Sequence, residues 1–113
     1  MIIREKEPAN LEMPFGELDG WITPNDQFYI RSHFPVPEFD PAKWRLKIEG
    51  TVDAPLELSL DDLRALPQKT VPATLECAGN GRVFLVPKVQ GTQWERGAVG
   101  TGERPGVSLG DVW

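Results

Sequence analysis

Cys77 is the only cysteine in a chain of 113 residues, and it stands directly before Ala78-Gly79-Asn80-Gly81-Arg82. Unpaired cysteine is among the most buried residue types, so a small core residue at the end of a strand is one reading of it. The residues that follow support another. Ala78 to Gly81 are small or turn-forming throughout, so the backbone there can approach a ligand closely and present N–H groups to it. Arg82 adds a fixed positive charge and a planar fork of donors suited to an oxyanion. These residue types describe a thiolate beside an anion site.

The rest of the composition limits what such a site can be. One cysteine forms no internal disulfide, and with one histidine, His33, no cage of Cys and His ligands can be assembled from this chain alone. Any metal needs ligands from elsewhere. A net charge of -5 without a Lys/Arg cluster argues against nucleic acid and against an anionic membrane surface. No apolar stretch approaches the ~20 residues that span a bilayer. The first residues, MIIREKEPANLEMPF, are acidic early and lack an apolar signal core, so the default expectation is a cytoplasmic chain. Hydrophobic residues at 40% and charged residues at 26% suit one globular domain with a core. With 11 glycines and 11 prolines, it is expected to be rich in turns and loops.

The elements that must position the site follow from local pattern. Residues 1–41 are broken by Pro14, Pro24, Pro35, Pro37 and Pro41, which forbid a long helix and predict an extended or wrapped segment. Trp44, Leu46 and Ile48 alternate with charged residues up to Gly50, predicting a strand with one buried face. Leu56–Leu58 is expected to be its partner across the turn TVDAP. Ser59 followed by Asp62 forms a capping-box pattern for a helix from Leu60 to Leu66, ended by Pro67. Val71, Ala73, Leu75 and Cys77 fall on one face of a third strand, so the cysteine should point the same way as buried residues.

VSLGDVW (Val107 to Trp113) repeats the pattern LSLDDLR (Leu58 to Arg64), with Ser108 and Asp111 standing where Ser59 and Asp62 stood. A second helix start is expected there, one turn before the sequence stops without Gly, Pro or basic residues to close it. The expectation is a domain cut short: an extended segment at 1–22, then the N-terminal part of a larger domain at 23–113.

Three motifs in order now carry a family resemblance. C-A-G-N-x-R at the end of a strand, preceded by W-x-L-x-I-x-G and L-S-L-x-D-L, resembles the molybdopterin-binding domain of the sulfite oxidase family. FYIRSHFPVP (Phe28 to Pro37) resembles the family segment that wraps the pterin, and QGTQWERGAVG (Gln90 to Gly100) the Gly-x-x-Trp-x-x-Gly-Ala segment that follows the cysteine loop. The resemblance runs from about Thr23 to Trp113. It implies an α+β fold, a mixed sheet with short helices and long loops.

For the site, the resemblance implies Cys77 as the protein thiolate ligand of molybdenum, a soft donor to a metal already held by the pterin dithiolene. It implies molybdopterin contacts from Phe28, Tyr29, Arg31, His33, Gly79 and Asn80. Arg31 and Arg82 become the arginines that attract a small oxyanion substrate, and Trp94 a wall of its pocket. Taken singly, Arg31 and Arg82 could be solvated surface charges, His33 a turn histidine, and Trp94, Trp44 and Trp21 core residues. Ser32 stands where the family often has asparagine, and Gly81 where the animal sulfite oxidases have a second arginine. The Gly81 change removes one positive charge near the anion site.

The implied activity is that of a molybdenum-dependent oxidoreductase, oxidising sulfite to sulfate by oxygen-atom transfer. Electrons would pass to a separate acceptor such as cytochrome c, and the full-length protein would be a homodimer. The family's active-site tyrosine, its later arginine and its dimerisation domain are expected beyond Trp113, leaving the isolated segment inactive alone. The alternatives are a related molybdopterin reductase acting on nitrate or a sulfoxide, and a structural or interaction segment that binds no cofactor.

Overall fold

The computed structural model describes residues 1–112. The chain divides into two compact units, Met1–Val36 with Pro72–Arg104, and Pro37–Val71 with the stretch from Pro105 onward.

The first unit begins with paired strands inside the segment expected to be extended. β1 (Ile2–Glu5) pairs antiparallel with β2 (Asn10–Glu12), and β2 pairs antiparallel with β3 (Ile30–Arg31). The β1–β2 register runs Ile2 to Glu12, Ile3 to Leu11 and Glu5 to Asn10, with an irregularity between Ile3 and Glu5. Arg4 is therefore the extra residue, and such a bulge re-aims the side chain that it carries. The unit also holds one end of β6 (Gln68–Glu76) and of β7 (Val99–Val107), which form a two-stranded sheet. Pro72 is tolerated within β6 because a two-stranded sheet leaves one edge of every strand without ladder partners.

The core of this unit is small and largely polar. Trp94 and Ala98 are 0% exposed and Met13 is 1%, beside the buried polar residues Asn10, Glu12, Thr23 and Thr92. Gly100 makes room for an aromatic ring, since a Cβ there would lie 2.8 Å from Phe28. Thr23 ties β7 to the segment before β3: its N–H donates to Thr101 O at 2.8 Å, and its hydroxyl accepts from Thr101 N at 3.1 Å.

The second unit contains the hairpin of β4 (Leu46–Ile48) and β5 (Leu56–Leu58), paired antiparallel with Leu46 opposite Leu58 and Ile48 opposite Leu56. Lys47 and Glu57 face each other on the other side and pair at 3.5 Å. Gly50, in the left-handed region at φ +98°, turns the chain after β4. β4 begins at Leu46 rather than Trp44, because the N–H groups of Lys43 and Trp44 both donate to Asp40 O in a preceding turn.

Helix α1 (Leu60–Ala65) starts at a complete capping box. Asp62 N donates to Ser59 Oγ at 3.1 Å, and Ser59 N donates to the Asp62 carboxylate at 2.8 Å. The Ser59 hydroxyl, which donates to the Asp62 carboxylate at 2.6 Å, and then the Ser59 N–H hold the Asp62 carboxyl below its usual range. Ser108, expected to open a second helix in the same way, has no side-chain cap, and only a 3-10 turn at Leu109–Asp111 follows it. Gly110, in the place of Asp61, weakens helix there. The continuation expected at Trp113 lies outside the described residues.

Two expectations are corrected. Among the described residues there is not one mixed sheet but three small ones, of three, two and two strands. Val71 and Leu75, placed by their alternation on a buried face of β6, are 50% and 48% exposed, because no second layer among the described residues covers them. Few helices and several short sheets remain, with long loops between them. Among the described residues no helix is long and apolar enough to cross a membrane.

Candidate functional site

The cysteine lies immediately after β6, at the mouth of the β6–β7 sheet. Cys77 N donates to Ala98 O at 2.9 Å, which fixes the residue at the start of the loop. The thiol is free and half-buried. The loop then turns back on itself: Asn80 N donates to Cys77 O at 2.8 Å and Arg82 N to Gly79 O at 3.0 Å. Gly81 occupies the left-handed region at φ +79°, and a 3-10 turn, Arg82–Phe84, follows. An L side chain at Gly81 would be strained there, which gives a local reason for glycine at a position where a second arginine would add charge.

Asn80 braces this loop. Its amide donates to the Glu76 carboxylate at 2.9 Å and accepts from Ala98 N at 3.1 Å, joining the end of β6 to the residue before β7.

Arg82 is held between two glycines. A Cβ on Gly79 would lie 2.6 Å from Arg82 Nη2, and one on Gly91 2.9 Å from Arg82 Cζ. The missing side chains therefore make the slot in which the guanidinium sits, and Arg82 Nη1 donates to Thr92 O at 3.2 Å. Gly79→Ala should leave the protein folded, costing less than about 1 kcal/mol because the displaced atoms end a flexible side chain. It should also expel the guanidinium, raising the rate of Arg82 modification by phenylglyoxal, followed by peptide mass mapping, about threefold or more.

Arg31 ends β3, and its guanidinium reaches back to its own segment. Nη1 donates to Asn10 Oδ1 at 3.2 Å and to Ser32 O, while Nη2 lies 2.8 Å from His33 Nε2. Among the described residues neither Arg31 nor Arg82 forms an ion pair. In a chain of net charge -5, two half-buried guanidinium groups without carboxylate partners leave charge available to an anion.

The aromatic segment approaches the cysteine. Phe28 and Tyr29 stack with ring centroids 5.6 Å apart. Burial pushes the Tyr29 phenol up, and the charges of nearby Cys77 and Glu76 push the same way, while Arg104 pulls it down. Arg104 also lies over the Phe28 ring at 5.2 Å. The structure thus brings Phe28, Tyr29 and Cys77 into one neighbourhood and joins Arg31 to His33, but no hydrogen bond among the described residues links those two groups.

Trp94, expected to wall the substrate pocket, lies in the core of the first unit. It is 0% exposed, with a buried indole N–H that has no partner among the described residues, while Trp44 is half-buried and Trp21 is 92% exposed.

Sequence reasoning missed Asn10, Glu12, Arg4 and Arg104. Glu12 is the most consequential. Its buried carboxylate accepts from Gly97 N at 2.7 Å, from Glu95 N at 3.1 Å and from Arg4 Nε. Burial pushes this carboxyl up, but the Gly97 N–H, the Arg4 side chain and the Glu95 N–H outweigh it and hold it below its usual range. A depressed folded value means stability that is present above the unfolded value, about pH 4.3, and lost as pH falls through the folded one. The thermal midpoint should therefore drop on acidification below about pH 4.3, and Glu12→Gln should flatten that drop while lowering the midpoint at neutral pH. Because Asp62 contributes in the same direction, the difference between parent and variant isolates Glu12.

Among the described residues no group of three His, Cys, Asp or Glu could hold a metal ion. One half-buried thiol, with no such group around it, fits a metal whose remaining donors arrive on a cofactor. That donor set defines a domain for a cofactor-borne metal. The chain belongs to the family described as oxidoreductase molybdopterin binding domain, which matches residues 33–113, and the cofactor of this family is molybdopterin with molybdenum.

Relatives agree with that assignment. The chain is 43% identical to "Sulfite oxidase, mitochondrial" of Mus musculus, covering 97% of this chain and 21% of the relative. It is 39% identical to "Nitrate reductase [NADH]" of Ulva prolifera, covering 95% and 13%. The sulfane dehydrogenase SoxCD of Paracoccus pantotrophus superposes with a TM-score of 0.78 at 31% identity, over 92% of this chain and 27% of that one. The chain thus spans about a fifth of the mouse relative.

Proposed function

We propose that the full protein oxidises sulfite to sulfate by oxygen-atom transfer and passes the electrons to a separate acceptor such as a cytochrome c. The observation that carries this reading is Arg82, five residues after the only cysteine, seated in a slot of two glycines and without a carboxylate partner among the described residues. When bound, the molybdenum cofactor supplies the oxygen-atom transfer and the redox change. Cys77 would hold the metal through its sulfur, and Phe28, Tyr29, Arg31, His33 and Gly79 would contact the pterin. Arg82, with Arg31, attracts the dianion and offsets its repulsion from an electron-rich centre, a role that suits a preorganised guanidinium better than a mobile one. Asn80 acts from within the protein, by bracing the loop. The net reaction takes sulfite and water to sulfate, two protons and two electrons, the electrons going to the acceptor.

Nitrate reduction is the second reading. Two nitrate reductases are 39% and 41% identical to this chain, almost level with the sulfite oxidases, and nitrate too is a small oxyanion. Purified, molybdenum-loaded full-length protein should reduce ferricyanide or cytochrome c when given sulfite. If it reduces neither acceptor, yet consumes nitrate or a sulfoxide with a reduced dye, the sulfite reading falls.

A further inference from the structure

We propose that the three-residue strand β2 is the strut that sets the cysteine loop and the arginine segment relative to each other, with Glu12 and Asn10 as the positioning residues for the two halves. This rests on reading Cys77 and Arg31 as parts of one site.

Asn10 and Glu12 project to the same side of β2, as residues two apart in a strand must, and they are 0% and 1% exposed. Two buried polar side chains on one short strand make a fixed spacing of ~7 Å along it, two strand rises.

From Glu12 the bonds lead to the cysteine. Its carboxylate takes the N–H groups of Glu95 and Gly97, and Met13 N donates to Gly97 O at 3.1 Å. The stretch so clamped presents three carbonyls to the cysteine loop. Trp94 O accepts from Val83 N at 3.1 Å, Glu95 O from Gly81 N at 2.6 Å and Ala98 O from Cys77 N at 2.9 Å. Every one of those bonds depends on where the stretch 94–98 lies. Gly97 confirms how close the clamp is, because a Cβ there would meet the Met13 backbone and lie 2.7 Å from Glu12 Cγ.

From Asn10 the bonds lead to the arginine. Asn10 Oδ1 accepts from Ser32 N at 3.0 Å and from Arg31 Nη1 at 3.2 Å, and Nδ2 donates to Ser32 O at 3.2 Å. A buried polar network orders its surroundings strongly, and removing one member leaves its partners unpaired. Glu12 thus governs Cys77 and Asn10 governs Arg31, although neither touches the reacting atoms.

Cys77, the only cysteine, reports on the first half without any activity assay. In cofactor-free protein, Glu12→Gln should speed alkylation of Cys77 by iodoacetamide about tenfold, while Asn10→Ala and the remote control Ser59→Ala stay within about twofold of the parent. If Glu12→Gln does not fold, Glu12→Asp, which withdraws the carboxylate by one methylene, takes its place. In loaded protein, Asn10→Ala should raise the KM for sulfite about tenfold with kcat little changed, and Glu12→Gln should act mainly on kcat. Parent-rate alkylation in the Glu12 variant, or equal acceleration by Ser59→Ala, overturns the proposal. So does the same kinetic parameter moving equally in both variants. If alkylation responds as expected while parent protein shows no sulfite turnover, the Glu12 linkage stands and the sulfite reading fails.

Discussion

Cys77→Ser is expected to leave molybdopterin bound and to lower sulfite-dependent turnover by more than about 100-fold. Changes in groups that merely orient metal ligands already cost about 10- to 100-fold, and here the ligand itself changes from a soft sulfur to a hard hydroxyl oxygen. Folding should hardly notice. The residue is anchored by its backbone N–H to Ala98 O, a bond that serine keeps, and the loop after it is braced by Asn80 and not by the thiol. Pterin released from the denatured variant should match the parent mole for mole while the rate of acceptor reduction collapses. A variant that oxidises sulfite at the parent rate would show that the sulfur is not a ligand.

Arg82→Gln is expected to have the next largest effect, on substrate capture. Removing a charge-assisted hydrogen bond weakens binding by about 1.5–3 kcal/mol, or roughly 10- to 150-fold in the KM for sulfite. The shorter neutral side chain also leaves the slot between Gly79 and Gly91 unfilled. Because the arginine has no carboxylate partner among the described residues, its removal uncovers no buried counter-charge, so stability should change little. Salt should then matter less. The parent's KM should rise with ionic strength more steeply than the variant's, since part of the attraction that salt screens has gone. An unchanged KM at low salt would remove Arg82 from the anion site.

What the sequence made legible was local. Helix α1 and strand β5 fall where expected because a capping box and a two-residue alternation are complete within a few positions. The loop from Cys77 to Arg82 was readable for the same reason, since its small residues and its left-handed glycine are consecutive. Solvent exposure was not local, and there the reading failed: Val71 and Leu75 alternate as buried residues do, yet no element among the described residues covers them. Trp94 is fully buried, in line with the core reading that its residue type allowed.

Asn10 and Glu12 were the least legible of all. Polar residue types argue for solvent, and only partners far along the chain make their burial favourable. Glu12 meets Gly97, 85 positions away, and Asn10 meets Ser32, 22 away. Short range, the signal NLE is three ordinary residues among prolines. The slot around Arg82 was hidden in a similar way, because Gly91 lies in a different motif from Gly79 and only the folded chain sets both against one guanidinium.

The central claim is that Cys77 completes the coordination of a molybdenum otherwise held by a dithiolene. X-ray absorption at the molybdenum edge of the loaded full-length protein counts the sulfur neighbours of the metal directly. Three sulfurs in the parent, falling to two in Cys77→Ser with the pterin still bound, is the predicted result, and two sulfurs in both proteins would contradict it.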